Sequence, residues 1–159
     1  MMYHALQARE ADGQPIRVAV IGAGTFGTQI ISQICRMTGI RAAVVGELDP
    51  ERGRNALRLG GIDVEAIREC SSDGEINDAI RADTPALTSS IDALVASDID
   101  VVIEATGNVE AGALHAHKAI EANKHVVMVT VEADVVIGHV LKKKADAAGV
   151  MYSMAFGDE

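Results

Sequence analysis

Three glycines set the strongest limit on how this chain can fold. Gly22, Gly24 and Gly27 fall in the spacing G-x-G-x-x-G. Ahead of them Ile16, Val18 and Val20 alternate, and Ala19 and Ile21 fill the opposite face. An apolar run on both faces is the pattern of a strand in a parallel sheet. After the glycines, Ile30, Ile31 and Ile34 follow Phe26 at helical spacing. Strand, glycine turn and helix, in that order, are the context that a dinucleotide-binding fingerprint requires. Each glycine then has a task. Gly22 permits the tight turn, Gly24 lets a pyrophosphate approach the backbone, and Gly27 lets the helix pack close to the strand. A helix starting near Thr25 aims its unpaired N–H groups and positive dipole end at the phosphates. The competing reading is a glycine-rich turn with no ligand, and the flanking pattern counts against it.

Length allows one domain with a real core, since the chain has 159 residues. Aromatic residues make up 3% and Trp is absent, so the core must be built from Val, Ile, Leu and Ala, as in α/β sheets. The net charge of −9 argues against nucleic acid or an anionic membrane as partner, because both call for a basic surface. A dinucleotide is compatible with that charge, because backbone N–H groups hold it locally. Cys35 and Cys70 form no C-x-x-C and no disulfide framework, so a reducing cytoplasm is the expected location. Residues 1–14 show no basic region followed by an apolar run, and no stretch reaches the length of a membrane span.

The rest of the chain reads as alternating strands and helices. A short helix over 6–11 precedes the first strand. A second strand over 41–46 ends at Glu47, about 20 residues after Gly27, where such a fold places the acid that accepts hydrogen bonds from the adenosine ribose. Asp49 competes for that role, but Asp49 followed by Pro50 reads better as a helix N-cap with proline in the first turn. A carboxylate at Glu47 repels the extra phosphate of NADP, so NAD is favoured; Arg52 and Arg54 just beyond could reverse the choice. A helix follows over 51–59. Residues 60–83 then read as a helical insertion, with helices over 64–69 and 74–82.

Four further strands are expected over 86–88, 101–105, 125–129 and 150–153. Helices over 91–96, 109–122 and 133–148 alternate with them, the second capped by Asn108. The fold class is thus α/β: a Rossmann-like, doubly wound, mainly parallel sheet of six strands in the order 3-2-1-4-5-6, forming one domain over 1–159. In that order the strand ends carrying Glu104-Ala105-Thr106-Gly107, Thr130 to Asp134, and Phe156-Gly157-Asp158-Glu159 converge at one sheet edge. His115 and His117 are two apart on a helix and cannot share one ligand, and His125 and His139 also lack metal spacing. His115 and His117 are expected as surface or boundary residues, and no metal site is expected.

Four stretches carry a family resemblance: IRVAVIGAGTFGTQI, VVIEATGNVEAG, NKHVVMVTVEADVVIG and GVMYSMAFGDE. Together they resemble the NAD(P)-binding domain of homoserine dehydrogenase-like oxidoreductases. The nearest branch is the one with 1-deoxy-D-xylulose 5-phosphate reductoisomerase-like (DXR-like) and SAF-domain proteins. The resemblance implies an NAD(P)H-dependent oxidoreductase acting on a small hydroxy or carbonyl compound or a sugar phosphate. It implies Gly22, Gly24, Thr25, Phe26 and Gly27 around the pyrophosphate, and Thr106 and Gly107 beside the nicotinamide. Homoserine dehydrogenase proper has an Asn-Lys pair after the fifth strand, where this chain has Thr130-Val131. The acids left nearby are Glu132 and Asp134. They read either as catalytic or substrate-binding groups, or as first-turn charges that stabilise the helix dipole. On this reading the chain is the N-terminal part of a longer protein that could oligomerise through a further domain. The alternative is a non-catalytic dinucleotide-binding or sensing module.

Overall fold

The computed structural model describes residues 2–155; the expected Gly157-Asp158-Glu159 cluster lies outside them. At the centre of the sheet β1 (Ile16–Ile21) pairs in parallel with β2 (Ile40–Gly46) on one side and β5 (Val101–Glu104) on the other. Beyond β2 come β4 (Ala86–Thr88) and the edge strand β3 (Arg68–Glu69); beyond β5 come β6 (His125–Met128) and β7 (Tyr152–Met154). The order β3-β4-β2-β1-β5-β6-β7 is parallel throughout.

Both faces of the central strands are buried, as an apolar run without polar alternation demands. Ala19, Val20, Val44 and Val45 are fully inaccessible. Helices α2 (Thr25–Ile34) and α3 (Pro50–Leu59) cover one face through Ile31, Ile34, Ala56 and Leu57. On the other face lie α4 (Asp73–Arg81), α5 (Ile91–Ala96), α6 (Val109–Glu121) and α7 (Val131–Ala148). Strand β5 turns half-buried Val101 and Ile103 toward the α2–α3 side and buried Val102 toward the α6–α7 side. Helix α1 (Met2–Ala11) buries no residue; its Glu10 carboxylate accepts hydrogen bonds from Gly39 N–H (2.8 Å) and Arg41, which fix it beside the start of β2. Among the described residues no helix is long and apolar enough to cross a membrane.

The expected strand order holds, with one addition. The sheet has seven strands, and residues 60–83 are a further strand-and-helix unit rather than a helical insertion. Helix α4 forms close to where periodicity places it. The expected helix over 64–69 does not: Asp63 caps a three-residue 3-10 turn, Val64–Ala66, and Ile67 then extends. Backbone pairing wins there. Arg68 N–H reaches Pro85 O (3.0 Å) and Cys70 N–H reaches Leu87 O (2.9 Å), satisfying carbonyls that the edge of β4 would otherwise present unpaired. Phe26 also departs from expectation. It is 58% exposed instead of joining the inner stripe of α2, which is made by Gly27, Ile31 and Ile34.

Candidate cofactor site

Sheet hydrogen bonding continues past the ends of the central strands. Gly22 N–H donates to Gly46 O and Ala105 N–H donates to Ile21 O, both at 2.8 Å. The glycine turn therefore sits at the crest between β2 and β5, where strand order reverses and ligands of such sheets bind. Gly22 has φ +93°, and a Cβ there would lie 2.8 Å from Ala105 O. A Cβ at Gly27 would lie 1.8 Å from Gly22 O. Packing alone explains these two glycines.

Gly24 differs from both. It is extended (φ −71°, ψ −161°), a conformation open to any residue, and a Cβ there meets nothing within 4 Å. No contact within the protein calls for glycine at this position. A ligand lying against the backbone does, so the turn fits the dinucleotide that the motif implies. Gly24 is also the N-cap of α2 and supplies no side-chain acceptor. By contrast Asp49, Ser72, Ser90 and Asn108 cap α3, α4, α5 and α6 through their side chains. The first-turn N–H groups of α2, including those of Thr25, Phe26 and Gly27, thus present an uncapped, electropositive helix end at the crest.

Glu47 stands on the β2 side of this turn. One carboxylate oxygen accepts from Ala23 N–H (2.8 Å), the other from Leu48 N–H (2.9 Å) and Asp49 N–H (3.2 Å). Three backbone hydrogen bonds hold the acid in place. Asp49 caps α3 through Glu51 N–H, as its spacing before Pro50 suggests. Arg54 is turned to the sheet edge, where it pairs with Glu69 of β3 (2.6 Å) and Glu51 (3.7 Å).

On the other side of the turn the chain buries a carboxylate. Glu104 is 0% exposed. It accepts from Thr106 N–H (3.2 Å), Thr106 Oγ1 (2.5 Å) and the Thr130 hydroxyl, and His115 Nδ1 lies at 3.4 Å. Burial by itself raises the Glu104 pKa, but the hydrogen bonds from His115, Thr106 and Thr130 outweigh it and hold the group below its ordinary value. Thr130 Oγ1 also accepts from Gly107 N–H (3.0 Å), joining the loop after β5 to the start of α7. Gly112 makes room, since a Cβ there would lie 3.0 Å from Glu104 Oε2. His115 faces Glu104 with a side chain 13% exposed, a boundary residue as its spacing suggested. The sequence signal that was available is Gly112 and His115 three apart on one helix face, above an acid at a strand end.

The two acids of α7 do not converge. Glu132 is exposed. Asp134 accepts from the Tyr152 hydroxyl (2.7 Å), tying α7 to β7. Burial and the adjacent Asp134 together push the Tyr152 pKa far up, so it stays a neutral donor. Among the described residues no group of three or more His, Cys, Asp or Glu side chains is placed to hold a metal ion.

The chain is similar in structure to several solved oxidoreductases. One is GenD2 of gentamicin A biosynthesis, in complex with NAD: TM-score 0.66, 18% identity, 89% of this chain and 34% of that one. Another is biliverdin reductase from Synechocystis sp., in complex with biliverdin and NADP+: TM-score 0.61, 20% identity, 88% and 37%. A third is an oxidoreductase from Agrobacterium radiobacter, in complex with NAD+, L-tartaric acid and magnesium: TM-score 0.66, 16% identity, 87% and 34%. At these identities the likeness shows the fold alone, and the chain spans about a third of their length. No curated protein matches the sequence. Residues 22–154, from the first glycine of the turn to the end of β7, match the family described as homoserine dehydrogenase, NAD binding domain, and the chain belongs to that family of oxidoreductase cofactor domains.

Proposed function

We propose that this chain is the cofactor half of an NAD(P)H-dependent oxidoreductase, with the pyrophosphate over Gly22, Gly24 and Gly27 and the nicotinamide beside Thr106 and Gly107. The observation that carries this is Gly24: an unstrained glycine with open space where its side chain would be, at the uncapped start of α2. Glu47 supports NAD over NADP. Its fixed carboxylate lies where the adenosine ribose belongs and repels a 2′-phosphate. Of the two cations that could reverse this, Arg54 is occupied at the sheet edge.

The finer reading places the chain near the DXR-like branch, with a small hydroxy or carbonyl compound or a sugar phosphate as substrate. Thr130-Val131 in place of Asn-Lys counts against homoserine itself as that substrate, because Thr130 is committed to Glu104 and Gly107 and supplies no cation. Of the acids in the first turn of α7, exposed Glu132 is the better placed to meet a substrate, and Asp134 would act while holding Tyr152. The two free thiols fit the cytoplasm.

Gly24→Val tests the cofactor site. The variant adds bulk into open space, so its melting temperature is expected to match the parent while NADH binding, followed by fluorescence titration, is lost. Normal NADH binding by a folded variant would remove the basis of the reading.

A further inference from the structure

A carboxylate with no exposure is costly unless it is well bonded, because burial strips its hydration. Glu104 is the only charged residue among the fully buried large side chains of the described residues. Two of its partners, Thr106 and Thr130, tie it to the loop after β5, and the third, His115, reaches it from α6. Thr106 gives it both a backbone N–H and a hydroxyl. Thr130 donates to it and accepts from Gly107 N–H. Thr106 Oγ1 accepts in turn from Asn108 N–H (3.3 Å), at the cap of α6. The same piece of chain presses Ala105 O against Gly22 in the glycine turn. Residues 105–108 are therefore fixed from below by one buried acid and face the crest from above.

We propose that Glu104 is a positioning residue for the nicotinamide half of the cofactor, acting through Thr106 and Thr130 on the loop at Gly107. The inference rests on the cofactor reading above. A dinucleotide across this switch point lays its adenosine half toward β2 and its other half toward β5 and β6. Glu47 braces the first side and Glu104 the second. Loosening the Glu104 network disturbs the nicotinamide wall and leaves the adenosine and pyrophosphate contacts as they were.

Two ligands separate these halves: NADH, and ADP-ribose, which lacks the nicotinamide. Their affinities are measured by calorimetry for the parent chain, Glu104→Gln and Thr130→Val. The second variant is nearly isosteric and removes only the hydroxyl that bridges Glu104 and Gly107, so it carries the test if Glu104→Gln does not fold. A folded variant is expected to lose tenfold or more in NADH affinity while ADP-ribose stays within twofold of the parent. Equal losses for both ligands would mean a merely structural role and would overturn the assignment. Unchanged NADH affinity would overturn it as well. A parent chain that binds neither ligand would instead refute the cofactor reading, and this inference with it.

Discussion

Gly24 and Glu104 are opposite cases of a residue type out of place. Gly24 is small where the protein has room, and Glu104 is charged where the protein is dry. The second has a measurable pH signature. The folded pKa of Glu104 lies below its ordinary value of 4.5, so its bonded carboxylate stabilises the fold fully above that pH. As pH falls through the lower folded value the contribution is lost. The melting temperature of the parent is therefore expected to approach that of Glu104→Gln as pH drops from 5 toward 3. A gap that stays constant over that range would show that Glu104 is not held ionised. The sequence made the caps at Asp49 and Asn108 legible, because local spacing fixes what each can reach. It did not show that Glu104 meets His115 and Thr130. Those contacts need α6 and α7 packed on β5, a tertiary arrangement that no local spacing encodes.

Among the elements, β3 was the one that periodicity could not show. Two exposed residues have no alternation to read, and their strand exists through backbone bonds to β4. Its position has a consequence. Glu69 stands level with Leu87, on the face covered by α3, and there it holds Arg54. Arg54 is thereby engaged at the sheet edge. A half-exposed pair of this kind contributes about 0–1 kcal/mol, so it biases the arginine without locking it. Glu69→Ala is expected to leave NADH affinity unchanged and to tighten NADPH binding by up to about fivefold, and Arg54→Ala in that background should cancel the gain. Competition titrations with both cofactors check this; no movement in the NADPH value would show that Arg54 does not reach a 2′-phosphate. The parent in the same experiment should bind NADH more tightly than NADPH if Glu47 plays the role proposed for it.

The whole molecule arranges its polar groups so that most of the crest is already spoken for. On the β5–β7 side, Glu104, Thr106 and Thr130 bond one another, and Asp134 bonds Tyr152. Glu132, in the first turn of α7, is exposed. Hydride transfer needs the acceptor carbon held within about 3.5 Å of the nicotinamide, and such positioning is worth several orders of magnitude in rate. The chain spans about a third of the length of the solved structures it resembles. The 159-residue chain is therefore expected to bind NADH without consuming it. The check is loss of absorbance at the reduced nicotinamide band over a panel of small aldehydes, keto acids and sugar phosphates. Steady turnover abolished by Glu132→Gln would show that the crest already holds a working site. Turnover untouched by that substitution would move the chemistry to another group and end the candidacy of Glu132.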